Sequence, residues 1–457
     1  MLTRLSLENF KSWRKIDRMQ FAPITGLFGA NSSGKTSILQ LLMMLKQTVE
    51  SPDRAQALIF GDKRTPANLG SFQDIVHQHD TSSVLNWDLQ WTLPRRLTIK
   101  DPGDPTKVLF AGDELGFTSE LSFVSGRVSV RRMAYAFSNH EFEMRQQAGS
   151  PGRYDLLARG GGFNFVRTRG RPWQLPAPVK CYGFPDQAKA YYQNAEFLAD
   201  LQLAFENLFG QVYYLGPLRE YPQREYPWAG AEPADMGLRG ERVVDALLAA
   251  RQRDLRISRG KGIKKVSLEQ YVAIWLKQLG LIHSFSVEQI ADDSNLYRVM
   301  VRKSQTSAKV LITDVGFGVS QILPALVLCF YVPEGATILL EQPEIHLHPS
   351  VQAGLADVFV DAVKKRNVQI IFESHSEHLL QRLQRRIAEG PKTEKGIASA
   401  MARPYFCDVM DGATELVPLN LDLYGNITNW PRDFFGDRFG ELAAKEEAAL
   451  KRQEAGR

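Results

Sequence analysis

The sequence predicts an α/β fold organised around a buried strand, a glycine-rich turn and an apolar helix. Residues 24–28 have the composition of the strand, residues 29–37 form the turn, and residues 37–45 continue as the helix. A second apolar stretch, residues 336–340, predicts another buried strand, and it ends on an acid, Glu341. Fully apolar strands that alternate with helices are typical of parallel sheets covered by helices.

The turn matches G-x-x-x-x-G-K-[ST] and lies between a strand and a helix, the context in which this pattern binds phosphate. Its backbone N–H groups converge at a helix N-terminus and attract an anion. Lys35 would reach the β- and γ-phosphates, and the Thr36 hydroxyl would coordinate Mg²⁺. The residues expected to bind the nucleotide are Gly29, Asn31, Ser32, Ser33, Gly34, Lys35, Thr36 and Ser37.

Composition and charge limit the classes of protein to which this chain can belong. The chain has 457 residues, 44% hydrophobic and 23% charged, with a mild net charge of +5, so it exceeds the usual size of one hydrophobic core. Its three cysteines show no metal-type spacing and suit a reducing compartment. The N-terminus lacks a signal-peptide pattern, and the most apolar run, residues 322–332, is too short to span a bilayer. These features predict a cytoplasmic protein with no membrane partner.

The N-terminal segment carries a second motif upstream of the turn. Residues 2–10 and 16–21 predict two strands that flank Asn9-Phe10-Lys11-Ser12. This order of strand, N-F-K-S turn, strand and G-x-N-x-S-G-K-[ST] resembles the first lobe of the ABC-type ATPases of the SMC, RecF and OLD-nuclease group. The resemblance implies that the nucleotide is ATP. It also places a glutamine-bearing loop near residues 68–77, where Gln73 or Gln78 would approach the metal or would simply be solvated.

The middle of the chain has a different pattern. Residues 81–180 form short alternating segments broken by Gly and Pro, which predict an inserted antiparallel β-rich section. Helical spacing over residues 188–209 predicts one helix, and no heptad run predicts coiled-coil arms. Residues 251–265 contain seven Lys/Arg and one Asp, so this stretch is either a surface for a DNA backbone or a solvated linker.

The last third resembles the second lobe of the same ATPases. Gly318, Ser320 and Gln321 open a helix in the order of the signature element, which in that group contacts the γ-phosphate held by the opposite protomer. Where the related ATPases usually carry Asp-Glu-Pro-Glu, this chain has Glu341-Gln342-Pro343-Glu344.

The resemblance implies that Glu341 holds the metal together with Thr36 and that Gln342 occupies the water-positioning site. An amide cannot accept a proton, so hydrolysis is expected to be slow, with Gln342, Glu344 and the switch-type His375 as the candidate catalytic residues. His346 and His348 have a metal-like spacing, but the resembled loop meets the partner subunit, and we favour that interpretation.

Residues 405–419 predict a hairpin with an Asp-Gly turn. With the acid and histidine motifs, this tail resembles bacterial AAA/ABC-type ATPases of anti-phage defence, whose C-terminal module is named only as a domain of unknown function. Only Asp408, Asp411 and Glu415 on this hairpin would supply acids for an OLD-like nuclease.

The sequence therefore predicts an α/β ABC-type P-loop ATPase head with an inserted β-rich section, a small C-terminal β/α cap and no coiled-coil arms. The expected divisions are residues 1–80, 81–185, 186–295, 296–400 and 401–457. The expected function is an ATPase switch that dimerises around ATP, or assembles further, and controls a separately encoded nuclease or toxin, or DNA. A non-hydrolysing ATP-binding scaffold is the alternative, and an OLD-like nuclease a further one.

Overall fold

The structure is a computed structural model. It describes residues 1–150, 152–170, 174–260, 262–410, 412–431, 434, 444–449 and 452. Lys261 of the basic stretch, Asp411 of the predicted Asp-Gly turn and most of residues 441–457 therefore lie outside the described residues.

The elements of the first half of the chain are β1 (Leu2–Phe10), β2 (Trp13–Gln20), β3 (Ile24–Gly29), α1 (Lys35–Glu50), α2 (Phe72–Ile75), β4 (Leu85–Asp101), β5 (Asp104–Val124), β6 (Arg127–Phe137), β7 (His140–Gln146), β8 (Tyr154–Arg159), α3 (Asp186–Tyr191), α4 (Leu198–Gly210) and β9 (Val212–Leu215). Those of the second half are β10 (Tyr226–Pro227), α5 (Val243–Gln252), β11 (Arg256–Ile257), β12 (Val266–Ser267), α6 (Leu268–Gln278), β13 (Ser284–Gln289), β14 (Leu296–Arg302), β15 (Val310–Leu311), α7 (Gly318–Tyr331), β16 (Thr337–Glu341), α8 (Pro349–Arg366), β17 (Gln369–Glu373), α9 (Glu377–Glu389), β18 (Ala402–Met410) and β19 (Ala413–Pro418).

A six-stranded sheet with the order β19-β18-β3-β17-β16-β9 forms the centre of the fold. All of its neighbouring pairs are parallel except the β18–β19 hairpin. Strands β16 and β17 are buried along their whole length, as expected for parallel strands covered on both faces. The predicted α/β class is confirmed.

Alternate residues of the inner strands divide between two hydrophobic cores. Leu339 and Ile371 belong to a core that includes α1, α4 and the second large sheet. Ile338 and Ile370 belong to the other core, which includes the helices α5 to α9. Successive side chains of a strand point to opposite faces, so the central sheet separates the two cores.

The predicted β-rich section forms a seven-stranded antiparallel sheet with the order β2-β1-β4-β5-β6-β7-β8. The N-terminal strands β1 and β2 belong to this sheet. Gln369 at the start of β17 links it to the central sheet: its side chain accepts from the Leu2 amide (2.9 Å) and donates to the carbonyls of Leu2 (2.8 Å) and Ala22 (3.3 Å). One buried amide therefore joins the two sheets.

The single helix predicted over residues 188–209 is wrong. The structure has two helices, α3 and α4, separated by residues 192–197. Asn194 in this break accepts a hydrogen bond from the Val166 amide and donates to the Asn164 carbonyl, and the Gln193 amide donates to Val166. These bonds to a neighbouring segment replace the helical ones.

The longest helix among the described residues, α8, has 18 residues, and the part of the chain that the structure covers contains no coiled-coil arm. No helix in that part combines the length and apolar character that a bilayer crossing requires.

Gln369 generates the first prediction. Replacing it by Leu removes the side-chain partner of the buried Leu2 amide and carbonyl, whereas the Ala22 carbonyl keeps a bond from the Thr25 hydroxyl. Each buried polar group without a partner costs about 1–3 kcal/mol. We expect a lower midpoint of thermal unfolding for Gln369→Leu, measured by circular dichroism. The control Gln381→Leu removes an exposed hydrogen bond within α9 and should unfold like the wild type; equal midpoints for the two variants would contradict the linking role of Gln369.

Candidate functional site

The carboxyl ends of five parallel strands of the central sheet, β18, β3, β17, β16 and β9, lie at one edge. β17 pairs in register with both β3 and β16, so Glu373 lies beside Leu27 on one side and beside Glu341 on the other. β9 continues the row next to β16. Ligand sites in open parallel sheets form at the carboxyl ends of the strands, and this edge carries most of the residues selected from the sequence.

The glycine-rich turn connects β3 to α1 with two glycines in conformations that a side chain would disturb. Gly29 has φ +141°, and a Cβ there would overlap the carbonyl oxygen of Cys407 on β18. Gly34, the residue before α1, has φ +80°, and a Cβ would overlap the hydroxyls of Ser12 and Thr414. The N-F-K-S turn and the C-terminal hairpin therefore hold the loop from two sides, which explains the glycines without reference to phosphate.

Lys35 lies inside this loop. Its ammonium donates to the carbonyl oxygens of Gly29 (3.0 Å) and Ala30 (2.5 Å) and lies 3.4 Å from Ser33 Oγ. Burial lowers the pKa of Lys35, and the nearby carboxylate of Glu373 opposes that change. The lysine is thus a desolvated cation facing the strand ends, where a phosphate would replace weaker carbonyl acceptors.

The structure brings Thr36 to an acid that the sequence analysis did not select. The Thr36 hydroxyl donates to Glu373 Oε2 at 2.6 Å. Glu341, the predicted metal acid, accepts instead from the Tyr214 hydroxyl at 2.8 Å. β17 lies between β3 and β16, so its terminal acid is closer to the loop; an acid at the end of a second apolar strand was the available signal for Glu373.

Three buried carboxylates, Glu341, Glu344 and Glu373, share this edge, and the charge of Glu344 acts on Glu373. Burial and the charge of Glu373 raise the pKa of Glu341 to about 7. Burial also raises the pKa values of Glu344 and Glu373, and hydrogen bonds oppose the change in both. A divalent cation would compensate this concentration of negative charge, so oxygen ligands from Thr36 and the strand-end acids fit Mg²⁺ in kind.

Gln342, Glu344 and His375 follow the strand ends. Gln342 is half-buried in a left-handed conformation, with φ +41°. Glu344 Oε1 accepts from the His375 amide at 2.7 Å, whereas its buried Oε2 has no hydrogen-bond partner among the described residues. Burial, assisted by the charge of Lys35, lowers the pKa of His375, so its imidazole is neutral at neutral pH. Of Gln342 and Glu344, only Glu344 is a carboxylate and can serve as a base.

The signature-type residues lie at the start of α7. Gly318 is the first residue of the helix and is half-buried, next to exposed Phe317. Ser320 and Gln321 are buried, and the Ser320 hydroxyl donates to the Phe317 carbonyl at 2.8 Å. The Phe317 ring contacts His346, so the signature turn and the histidine loop form one surface. Within one chain, Gly318 is the signature residue closest to solvent.

The two candidates from the glutamine-bearing loop, Gln73 and Gln78, are both exposed. The segment that carries them packs on the N-F-K-S turn through the Lys11 amide, which donates to the Ile75 carbonyl at 2.7 Å. Lys11 in turn interacts with the charge of Glu341.

The basic stretch is partly neutralised. Arg251 pairs with Glu269, Arg253 with Glu232, and Arg256 with Asp254. Within the described residues, no group of three or more His, Cys, Asp or Glu side chains is arranged to hold a metal.

Comparisons with known proteins identify two segments. Residues 244–381 match the family model described as "AAA domain, putative AbiEii toxin, Type IV TA system", and residues 400–444 match "Protein of unknown function (DUF3696)". No curated protein matches the chain significantly. The two family matches confirm the resemblance inferred from the motifs: an AAA-type ATPase segment is followed by a C-terminal domain of unknown function.

Similar solved structures include an SMC head bound to the C-winged helix domain of ScpA, with 12% identity, a TM-score of 0.45 and coverage of 92% of this chain and 98% of that one. The SMC head domain from Thermotoga maritima has 11% identity, a TM-score of 0.41 and coverage of 92% and 99%. An Smc head with an extended coiled coil, bound to the C-terminal domain of ScpA derived from Pyrococcus furiosus, has 12% identity, a TM-score of 0.41 and coverage of 92% and 96%.

The raised pKa of Glu341 generates a prediction about stability. A folded-state pKa of about 7, above the unfolded value of 4.5, means that the protonated carboxyl stabilises the fold below pH 4.5 and that this contribution is lost as the pH rises through 7. Glu341→Gln keeps the neutral shape at every pH. We expect it to raise the thermal midpoint of the nucleotide-free protein at pH 8.5 more than at pH 5.5. Calorimetry checks this, and a midpoint difference that does not grow with pH would contradict it.

Proposed function

We propose that this chain is an ATP-binding switch that hydrolyses ATP slowly and closes into a dimer around it. The observation that carries the proposal is the position of Lys35 and Thr36 at one sheet edge with the acids at the ends of β17 and β16. A triphosphate would extend from the loop toward those acids, with Lys35 on its terminal phosphates. The AAA-type family match supports the same activity.

The residues that would hold Mg²⁺ are Thr36, through its hydroxyl, and the acids Glu341 and Glu373. When bound, the cation would neutralise charge on the phosphates and on these carboxylates. Tyr214 orients Glu341 by its hydrogen bond. Glu373 would exchange its hydrogen bond with Thr36 for a place beside the cation.

Slow hydrolysis follows from the residue at position 342. Gln342 can orient a water molecule by hydrogen bonding, as glutamine does in other phosphohydrolases, but it cannot take the proton. Glu344 is the nearest alternative base, because its Oε2, which has no hydrogen-bond partner in the described part of the chain, and its raised pKa suit proton acceptance. Neutral His375 can supply a further hydrogen bond.

Dimer closure is proposed from the surface around the signature turn. Phe317 is 40% exposed and Tyr221, whose ring contacts it, is 72% exposed. Exposed aromatic side chains that cluster are typical of interaction surfaces. A second copy would bring Gly318, and after local rearrangement Ser320 and Gln321, to the terminal phosphate of the first.

The partner controlled by this switch is proposed from family resemblance alone. The matched family is described as a putative toxin of a type IV toxin–antitoxin system, and we propose a prokaryotic anti-phage defence or DNA-repair setting with a separate nuclease or toxin, or with DNA. The alternative is a scaffold that binds ATP without hydrolysing it. Steady-state ATPase activity compared with direct ATP binding separates the two.

The roles of Gln342 and Glu344 can be tested as a pair. A general base is worth about 10²–10⁴-fold in rate, so Gln342→Glu is expected to accelerate single-turnover hydrolysis at saturating Mg-ATP. Glu344→Gln is expected to slow it if Glu344 supplies the residual activity. Single-turnover measurement isolates the chemical step from product release.

The same two variants also give the results that would contradict the proposal. If Gln342→Glu leaves the rate unchanged and Glu344→Gln abolishes it, Glu344 is the working base and position 342 does not limit turnover. If wild-type hydrolysis is fast and neither change affects it, the slow-switch proposal fails.

Dimer closure can be tested at Gly318. A Cβ there would meet only Leu281 Cδ2 at 3.7 Å, whereas an arginine at buried Ser320 would disturb the monomer. Gly318→Glu is expected to retain ATP binding and to lose ATP-dependent dimerisation, because its carboxylate would repel the partner's phosphates. Light scattering with Mg-ATP measures this.

The control Gly210→Glu places the same charge at an exposed position with no neighbour within 4 Å. It should dimerise normally. Lys35→Ala should not bind ATP and therefore should not dimerise. Normal dimerisation of Gly318→Glu would exclude this surface from the closed state.

A further inference from the structure

Arg219 is a buried cation at the sheet edge where β3, β17 and β16 end. It has no distinctive pattern in the sequence. It follows β9 by four residues, in the sequence Leu215-Gly216-Pro217-Leu218-Arg219. β9 is parallel to β16, so its following loop emerges at the same sheet edge as Glu341. The loop is fixed on both sides of Arg219 by backbone bonds from the Gly216 amide to Leu238 and from the Glu220 amide to Arg239.

The guanidinium of Arg219 has no hydrogen-bond partner among the described residues. The residue is 6% exposed, and none of its three side-chain nitrogens is paired within the part of the chain that the structure describes. Burial lowers its pKa to about 10, so it remains charged at neutral pH. A buried charge without partners is costly, and a guanidinium offers five N–H donors in a planar fork. The unpaired N–H donors of Arg219 therefore suit a ligand with several hydrogen-bond acceptors.

Nearby carboxylates do not satisfy it. The charges of Glu344 and Glu341 act on Arg219, yet one oxygen of each is occupied by another donor. Glu341 Oε1 accepts from Tyr214, and Glu344 Oε1 accepts from the His375 amide. Arg219 is therefore held near the acids by charge and burial rather than by a hydrogen bond.

The charge balance of the edge indicates the ligand. Lys35 supplies positive charge on the side of the glycine-rich loop, and Arg219 supplies it on the side of β16 and β9. A terminal phosphate that extends from the loop toward three glutamates needs a cation on that far side. Phosphate oxygens match the bidentate geometry of a guanidinium.

We propose that Arg219 binds the terminal phosphate of ATP from within the same chain and thereby distinguishes ATP from ADP. This inference rests on the proposed ATP-binding function. It assigns to the Leu-Gly-Pro-Leu-Arg segment a role that neither the phosphate loop nor the signature turn provides. Glu220, the residue after Arg219, lines a small cavity together with Ser320 of α7, so the loop after β9 also approaches the signature helix.

The test is a titration of Arg219→Met with ADP and with the β,γ-imido analogue of ATP, both with Mg²⁺. We expect affinity for the analogue to fall about 10- to 100-fold, the range of a charge-assisted contact, with affinity for ADP unchanged within about twofold. Arg219→Lys keeps the charge without the planar fork and should give an intermediate loss.

Two controls make the result specific. Arg242→Met removes a half-exposed arginine paired with Asp235 and should bind both nucleotides as the wild type does. The thermal midpoint of Arg219→Met should not fall, since methionine removes an unpaired buried charge; a variant that nevertheless unfolds leaves Arg219→Lys to decide.

The outcomes separate this inference from the function on which it rests. If wild-type protein binds neither nucleotide, or binds them independently of Lys35, the proposed function fails. If the wild type binds both through Lys35 and Arg219→Met weakens both equally, or neither, only the role of Arg219 is overturned.

Discussion

The parallel pairing of β3, β17 and β16 is the constraint on which the rest of this structure depends. In-register pairing places Leu27, Glu373 and Glu341 side by side, so the loop after β3 and both strand-end acids share one edge. A shift of one residue would exchange the faces of every side chain in a strand. Both faces of β16 and β17 are buried, and this fixes the register and the geometry of the site together.

Several charged side chains are buried at this edge, although burial of a charge in an apolar interior is energetically unfavourable. Glu341, Glu344 and Glu373 are all buried, and burial raises the pKa of each. Lys35 and Arg219 are buried cations whose pKa values are lowered for the same reason. Groups of opposite charge held apart in this way do not stabilise the ligand-free fold. Their arrangement is explained if a phosphate and a divalent cation complete it.

The C-terminal hairpin has a structural role at this edge beyond that of an appended module. β18 pairs in parallel with β3 along six residue positions, from Ala402 opposite Ile24 to Cys407 opposite Gly29. The Thr414 amide on β19 donates to the Ser12 carbonyl of the N-F-K-S turn. The glycine-rich loop therefore lies between the N-F-K-S turn and the C-terminal hairpin. A movement of the hairpin would displace the loop.

The sequence by itself determined the glycine-rich turn between a strand and a helix, the α/β class and the strand that ends on Glu341, because each depends on local order: a motif of fixed spacing, an apolar run and its neighbours. It also predicted the hairpin, which the structure confirms as β18 and β19, whereas the signature role of Gly318, Ser320 and Gln321 stays a prediction. The break in the predicted helix over residues 188–209 was missed, because Asn194 bonds to residues distant in sequence. Tyr214 and Arg219 were missed because neither has a distinctive local pattern. Glu373 had a local signal as the acid at the end of an apolar strand, but its bond to Thr36 joins residues distant in sequence. Only the order of the strands, with β17 between β3 and β16 and β9 at the edge, decided that Glu373 bonds to Thr36, that Tyr214 bonds to Glu341 and that the charge of Glu344 acts on Arg219, because strand order is fixed by packing between distant segments of the chain.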